Sequence, residues 1–156
     1  MAVNIGDKAP EFELVDTELK FRTLDEFKGK KEVISFFVAA SSPVCEVELC
    51  TFRDRWEEIS NLGAQIIAIS NDGPFANKAF AEKNSYNFPV LGDYQSKTIR
   101  DYDVLLADLL HVKNYNAAKR SVFILDENHV IIWKWIVDDP LKEPNYDEII
   151  QVLKSN

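Results

Sequence analysis

The segment Val33-Ile34-Ser35-Phe36-Phe37-Val38-Ala39-Ala40-Ser41-Ser42-Pro43-Val44-Cys45 decides how this chain folds. Its first part, Val33 to Ala40, is mostly apolar, β-branched and aromatic, which is typical of a strand buried on both faces. From Pro43 to Leu62, apolar residues recur every three or four positions and predict a helix that packs one stripe on the sheet. Gly63 is placed to end that helix, and Ala64 to Ser70 predicts a second buried strand. The segment therefore begins a β-α-β unit.

The rest of the chain continues this alternation without a repeat or a linker. We therefore expect one domain over residues 1–156, with an α/β architecture of a mixed sheet and flanking helices. The stretch from Asp103 to Lys119 is poorly patterned. The other predicted elements are a strand at Glu11 to Val15, a helical turn with a capping box of Thr23 and Glu26, a helix at Phe75 to Tyr86, a strand at Phe88 to Leu91, a helix at Ser96 to Tyr102, a hairpin of Ser121 to Leu125 with Val130 to Val137, and a helix at Asn145 to Lys154.

Composition excludes several functional classes. The 156 residues include 18 Lys and Arg against 26 Asp and Glu, a net charge of -8. This weighs against a nucleic-acid partner, because affinity for nucleic acids comes largely from Lys and Arg that neutralise phosphates. The two cysteines do not make a secreted disulfide framework, and the N-terminal stretch lacks the features of a signal peptide. No apolar run approaches the roughly 20 residues of a membrane span. We therefore expect a soluble, cytoplasmic protein that acts on small molecules or proteins, with no nucleic acid and no membrane as partner.

Cys45 is the first candidate for chemistry, because it falls in the first turn of the predicted helix. Ser42 suits the N-cap, and Pro43 suits the first helical position, where its missing N–H is no loss. Free backbone amides and the positive end of the helix dipole favour a thiolate there, and the thiolate is the reactive form of cysteine. A cysteine on an apolar stripe is also often a small core residue. Position alone leaves both interpretations open.

Cys50 follows Cys45 in the same predicted helix. Five helical residues turn the chain by about 500° and advance it by roughly 7.5 Å, so the two side chains point about 140° apart, with Cα atoms about 8.7 Å apart. This exceeds the limit of about 7 Å for a disulfide. Cys50 also shares a more polar face with Glu46, Arg53 and Glu57, which favours an accessible thiol. We hypothesise that the sulfurs can react only if the first turns of the helix unwind after Cys45 is oxidised.

The stretch from Phe36 to Asp54, with Ser42-Pro43-Val44-Cys45 at its centre, resembles the active-site region of the peroxiredoxins, which are thiol peroxidases. The resemblance continues through Ser70 to Ala81, Asn87 to Tyr94 and Lys119 to Asp126, and it covers nearly the whole chain in the expected order. It implies a thioredoxin-like fold, with a mixed β-sheet flanked by helices and an N-terminal extension.

The resemblance also implies the roles of the site residues. Cys45 is the peroxide-reducing cysteine, Ser42 and Arg120 hold the thiolate and the peroxide oxygens, and Glu48 orients the arginine. Such donors stabilise the negative charge that develops on the departing oxygen. The sulfenic acid on Cys45 is then resolved by Cys50 as a disulfide, as in the Q-type or bacterioferritin-comigratory branch. The implied partners are peroxide and thioredoxin or a similar dithiol reductant. No cofactor or metal is implied, and the protein is expected to be a monomer or homodimer.

Two positions depart from the family pattern. Val38 stands where the family has a proline, seven residues before the peroxide-reducing cysteine, and Ser42 stands where threonine is commoner. Serine keeps the hydroxyl, so that change is mild. Valine restores a backbone N–H and lacks the rigid ring that would form one wall of the pocket. We therefore expect Val38 to alter the pocket geometry.

A second functional class stays open: a redox-sensing or interaction protein of the same fold, in which Cys45 is oxidised and a partner responds without sustained turnover. A dithiol reductase is disfavoured because the Cys-x-x-Cys spacing is absent. A zinc site that combines the cysteines with His111 and His129 does not match common ligand spacings. We expect His129 to be an ordinary exposed residue of a turn.

Three other side chains have ordinary structural interpretations. Arg120, taken alone and without Cys45, favours the interpretation of a solvated charge at the start of a strand. Trp133 and Trp135 lie on one face of a predicted strand and form either a core layer or part of a dimer surface.

Overall fold

The predicted β-α-β unit lies at the centre of the structure, a computed structural model that describes residues 3–156. Met1 and Ala2, which begin the segment considered as a signal peptide, lie outside the described residues. In chain order the elements are β1 (Glu13–Val15), β2 (Phe21–Thr23), a 3-10 turn (Leu24–Phe27), β3 (Lys31–Phe36), α1 (Pro43–Asp54), α2 (Trp56–Asn61), β4 (Ala64–Ser70), α3 (Pro74–Asn84), β5 (Val90–Gly92), α4 (Lys97–Asp101), β6 (Leu105–Leu106), a second 3-10 turn (Leu109–His111), β7 (Ala117–Ala118), β8 (Ser121–Leu125), β9 (Ile131–Ile136) and α5 (Tyr146–Lys154).

The pairing of β3 with β4 confirms the β-α-β unit. Every residue of β3 is buried, and the two strands run parallel and in register along the whole of β3. β3 ends at Phe36, earlier than the predicted Ala40, because the chain leaves the sheet there to reach the start of α1. The prediction of one helix from Pro43 to Leu62 is wrong at a single point, since Arg55, with φ −96° and ψ 8°, separates α1 from α2.

The main sheet has seven strands in the order β2-β1-β5-β4-β3-β8-β9. β3, β4 and β5 are parallel, and the remaining pairs are antiparallel. Alternate residues of β3 enter different cores, with Val33 on one face and Ile34 on the other. α1, α2, α3 and α5 supply apolar residues to the first core, and α4 supplies them to the second. This confirms the predicted α/β architecture of a mixed sheet flanked by helices.

Two regions contain structure that sequence patterns did not predict. β2 is a three-residue edge strand that pairs with β1, too short to show an alternation of its own. The poorly patterned stretch Asp103 to Lys119 contains the second 3-10 turn and a small sheet of β6 with β7. Each of those strands is two residues long, and Leu110 has a left-handed backbone, so no periodicity is present to detect.

The expectation that His129 is exposed is wrong. Its side chain is only 2% exposed, and burial lowers the pKa of the imidazole. The N-terminal segment covers the turn, because Ala9 donates its N–H to the carbonyl of His129 at 2.9 Å and Gly6 donates to the carbonyl of Ile131 at 2.8 Å. Sequence reasoning places the turn correctly but cannot show that a distant segment covers it.

Trp133 and Trp135 are partly buried and pack against the first core, which contains residues of α1. None of the helices formed by residues 3–156 is long and apolar enough to cross a membrane.

Candidate active site

Cys45 lies in the first turn of α1, directly beyond the carboxyl end of β3. Ser42 is the N-cap, with extended backbone angles of φ −73° and ψ 143°, and Pro43 occupies the first turn as predicted. The Ser42 carbonyl accepts the first helical hydrogen bond, from the N–H of Glu46 at 2.9 Å. In the described chain the Ser42 side chain makes no capping bond to α1, which leaves its hydroxyl available for the cavity it lines. The Cys45 side chain is fully buried.

The loop between β3 and α1 is held by a carboxylate that lies two residues after the end of β4. Asp72 Oδ2 accepts the backbone N–H of Ala40 at 2.7 Å and the hydroxyl of Ser70 at 2.7 Å. Ser41, the next residue, has φ 68°, a left-handed conformation that is uncommon for a residue with a side chain. Sequence reasoning missed this role of Asp72. The available signal was a polar residue just after β4, since the carboxyl ends of adjacent parallel strands meet at one edge.

Arg120 is brought to the same edge by the antiparallel pairing of β8 with β3. That pairing sets Ser121 opposite Phe36, the last residue of β3, so Arg120 lies beside the start of α1. The side chain is only 1% exposed, which excludes the interpretation of a solvated charge. Arg120 Nη1 donates to Glu48 Oε1 at 3.2 Å.

A backbone carbonyl fixes the other side of the guanidinium. Arg120 Nε and Nη2 both donate to the carbonyl oxygen of Pro140, with the Nε contact at 3.1 Å. An arginine has five N–H groups, so these bonds and the one to Glu48 engage three and leave two. Burial lowers the pKa of Arg120, but the nearby charges of Glu48 and Cys45 raise it above its usual value. The guanidinium therefore stays charged beside the Cys45 thiol.

Glu48 is a completely buried carboxyl one turn after Cys45. Its Oε1 accepts from Arg120 and, at 3.5 Å, from the hydroxyl of Ser35. Burial raises the pKa of Glu48 to about 7, although the attraction of Arg120 opposes that rise. Glu48 therefore contacts the guanidinium of Arg120 directly, from the turn of α1 that follows Cys45.

A cavity of about 220 Å³ opens next to these side chains. Ser42 and Arg120 supply polar groups to its wall, and Val38 lines it at the position where the family pattern has proline. Most of the remaining lining is apolar, from Ala39, Pro43, Val44, Leu109, Leu110, Tyr115, Pro140 and Leu141. The cavity therefore combines one cationic side chain, Arg120, with mostly apolar walls.

Cys50 is separate from this cavity. Its side chain is partly buried, and its sulfur lies 3.6 Å from Asn84 Oδ1 and 3.6 Å from the Tyr86 hydroxyl oxygen. Both cysteines are free thiols. The structure therefore groups Ser42, Cys45, Glu48 and Arg120 at one edge of the sheet and places Cys50 against the end of α3.

Two surface ion pairs stand apart from the site. Arg53 pairs with Asp54, and Arg55 pairs with Asp147, both on the surface. Within residues 3–156 no cluster of three or more His, Cys, Asp or Glu side chains is suited to hold a metal ion.

Comparison with known proteins decides the family. The family model described as AhpC/TSA family matches residues 5–134. The chain belongs to the AhpC/TSA family. The matched range contains the four stretches 36–54, 70–81, 87–94 and 119–126 on which the resemblance to peroxiredoxins rests.

Similarity to individual peroxiredoxins and thiol peroxidases extends over almost the whole chain. The chain is 34% identical to the chloroplastic peroxiredoxin Q of Populus jackii over 154 residues, 98% of this chain and 69% of that protein. It is 33% identical to a thiol peroxidase of Streptococcus sanguinis over 155 residues, 98% of this chain and 90% of that protein. The resemblance to peroxiredoxins of the Q-type branch is confirmed.

Comparison with a solved peroxidoxin structure confirms the thioredoxin-like fold. The crystal structure of the peroxidoxin BcpB from Mycobacterium tuberculosis superimposes with a TM-score of 0.87 at 25% sequence identity. The superposition covers 98% of this chain and 97% of that protein.

Proposed function

We propose that this chain reduces peroxides with Cys45 as the nucleophile. The class of reaction follows from its relatives, which are peroxiredoxins and a thiol peroxidase, so the chain is an oxidoreductase that uses thiols to reduce peroxides. The observation that carries the residue assignment is the buried Arg120, which is hydrogen-bonded on both sides and still has two N–H groups left beside Cys45.

The first step uses the arrangement at the start of α1. The Cys45 thiolate attacks one peroxide oxygen, the O–O bond breaks, and the other oxygen leaves as an alcohol or water after it takes up a proton. Negative charge develops on that leaving oxygen, and fixed donors lower the barrier. The free N–H groups of Arg120, the Ser42 hydroxyl and the first-turn amide of Cys45 are the donors we assign. Glu48 holds Arg120 in place, and Cys45 becomes a sulfenic acid.

We assign the second step to Cys50. Its thiol sulfur bonds to the Cys45 sulfur, the S–O bond breaks, and the hydroxyl leaves as water with the thiol proton. Both cysteines lie in α1, five residues apart, so the helix must open for the sulfurs to meet. Amide hydrogen exchange across residues 44–52 is therefore expected to rise on oxidation. An unchanged exchange profile in a protein that carries the intramolecular disulfide would contradict this opening.

The reductant and the setting complete the proposal. A dithiol donor such as thioredoxin would reduce the disulfide by exchange, because the chain has no further cysteine to do so. We propose that residues 1–156 act as one domain, as a monomer or homodimer, in the cytoplasm. The seven-stranded sheet, which gathers strands from Glu13 to Ile136, supports the single domain.

The deciding experiment compares peroxide consumption by the wild type, Cys45→Ser and Cys50→Ser with thioredoxin and its reductase present. The proposal expects continuous turnover in the wild type and none in Cys45→Ser. Full activity in Cys45→Ser would refute the nucleophile assignment. Full activity in Cys50→Ser would show that an external thiol resolves the sulfenic acid. Consumption that stops after one equivalent would instead support the redox-sensing function.

A further inference from the structure

The polar contacts of Cys50 come from outside the helix that carries it. Asn84, which contacts the Cys50 sulfur through Oδ1, is the last residue of α3. Tyr86, whose hydroxyl also lies 3.6 Å from that sulfur, follows two residues later. Cys50 is therefore attached to the end of α3 by its side chain.

The Tyr86 hydroxyl contacts α1 at two successive turns. Besides Cys50, it reaches the backbone carbonyl of Glu46, to which it donates at 3.4 Å. The Tyr86 ring stacks on Phe88 and meets Phe80 edge-on, in each case with 5.3 Å between ring centroids. These contacts hold the ring in one orientation, so the hydroxyl acts from a fixed position.

Asn84 adds a second attachment. Its backbone carbonyl accepts from Arg53 Nη1 at 2.6 Å, and its side-chain amide donates to the carbonyl of Phe80 at 3.1 Å. The amide nitrogen of the Asn84 side chain is therefore bonded to α3, while its Oδ1 contacts the Cys50 sulfur. The end of α3 is thus attached to the beginning, the middle and the last turn of α1, at Glu46, Cys50 and Arg53.

We propose that Tyr86 and Asn84 form a latch, which holds Cys50 in the folded helix and sets the rate at which Cys50 reaches oxidised Cys45. This inference rests on the proposed function, because it concerns the step in which the Cys45 sulfenic acid is resolved. Cys50 must leave both latch residues before its sulfur can displace the hydroxyl from Cys45. The two residues act by positioning Cys50, and neither lines the cavity beside Cys45.

The latch also governs how often Cys45 is overoxidised. While Cys50 is held, a second peroxide can transfer an oxygen to the sulfenic acid, which gives a sulfinic acid and an alcohol or water. Disulfide formation and sulfinic acid formation compete for the same intermediate. A weaker latch therefore favours the disulfide, and a stronger latch makes the protein more sensitive to excess peroxide.

Tyr86→Phe tests the latch with little disturbance, because the ring and its packing remain. The hydroxyl contacts are worth about as much as one hydrogen bond, so disulfide formation should accelerate by about two- to tenfold. Stopped-flow tryptophan fluorescence after a single peroxide addition separates Cys45 oxidation from disulfide formation. Mass spectrometry of Cys45 measures the sulfinic acid fraction at a fixed peroxide dose, which should fall.

Two other variants make the result specific. Tyr94→Phe is the matched control, because Tyr94 is an exposed tyrosine on the loop before α4. Asn84→Ala removes the other contact of the latch and should also accelerate disulfide formation. The rate constant of Cys45 oxidation by peroxide should stay unchanged in all three variants, whereas a general loss of structure would lower it.

The latch is overturned if disulfide formation in Tyr86→Phe is as slow as in the wild type, or if Tyr94→Phe accelerates it equally. A disulfide that joins two chains, seen on a non-reducing gel, also overturns it. If peroxide does not oxidise Cys45 in the wild type at all, the proposed function fails first and the latch fails with it. The fluorescence phases distinguish these cases.

Discussion

Replacing Arg120 with lysine separates the charge of this side chain from its shape. Arg120→Lys keeps a positive charge next to Cys45, but the ammonium carries its three N–H groups on one nitrogen. The native guanidinium donates twice to Pro140, once to Glu48, and still has two N–H groups to offer. The three N–H groups of lysine leave from one nitrogen, so they cannot reproduce the spacing with which three guanidinium nitrogens reach Pro140 and Glu48 and still offer donors to a peroxide. Lysine should therefore lose donors to the departing oxygen while it keeps the charge.

The expected loss follows from the number of donors. Removing one preorganised donor from a developing oxyanion lowers a rate by about 10²- to 10³-fold, or about 3 to 4 kcal/mol of barrier. We expect the rate constant of Cys45 oxidation in Arg120→Lys to fall by about 100-fold or more. The fold should also lose stability, because bonds from a buried cation to Pro140 are worth about 1.5 to 3 kcal/mol each. Circular dichroism should establish first that the variant is folded at the assay temperature.

The assay is a single-turnover measurement of Cys45 thiol loss with peroxide in stopped flow. Arg100→Lys is the matched control, because Arg100 is an exposed arginine of α4 that donates to the carbonyl of Gln95. A folded Arg120→Lys protein that oxidises Cys45 within about threefold of the wild type would refute the role of the guanidinium fork, since threefold is only about 0.7 kcal/mol. Arg120→Met lacks the charge as well as the N–H donors, so its Cys45 should be oxidised more slowly still.

Three more substitutions test other parts of the structure. Glu32 is buried in β3, and burial raises its pKa to about 8 although Gln65 bonds to it. The unfolded chain ionises this carboxyl at lower pH, so its contribution to stability falls as the pH rises from about 4.5 to about 8. Glu32→Gln should remove this pH dependence. The free energy of unfolding, measured with denaturant at pH 7, should rise by about 3 kcal/mol. Val38→Pro should restore a rigid pocket wall and raise peroxide turnover by up to about tenfold, or about 1.4 kcal/mol. Gly92→Ala should cost about 1 to 3 kcal/mol in thermal unfolding, because its Cβ would lie 2.6 Å from the carbonyl oxygen of Asp72.

Each of these predictions has an outcome that contradicts it. Equal stability of Glu32→Gln and the wild type at both pH 5 and pH 8 would show that the carboxyl does not oppose folding. Turnover unchanged by Val38→Pro would mean that this position does not limit the rate. A Gly92→Ala protein as stable as the wild type would show that the Asp72 backbone shifts without cost. Gly73→Ala is the control for that substitution, since nothing lies within 4 Å of a Cβ at Gly73.

The sequence by itself determined the β-α-β unit and the location of Cys45. These depend on signals between near neighbours: a run of apolar β-branched residues, a serine and a proline at a helix start, and a regular apolar stripe. The folded protein keeps the local structure that these signals predict, because each signal depends on residues only one or two turns apart in the chain. The separation of Cys45 from Cys50 also follows from helix geometry alone. The resemblance to peroxiredoxins added Arg120, Glu48 and Ser42 as site candidates.

Only the tertiary structure decided how those residues are held. The carbonyl of Pro140 fixes Arg120, and the carboxylate of Asp72 fixes the loop before Cys45. A backbone carbonyl is the same at every residue, so the sequence carries no signal that one of them binds an arginine twenty positions away. The contacts of Cys50 with Asn84 and Tyr86 likewise depend on how α1 packs against α3. Sequence patterns report burial along one element, whereas these contacts arise from the placement of one element against another.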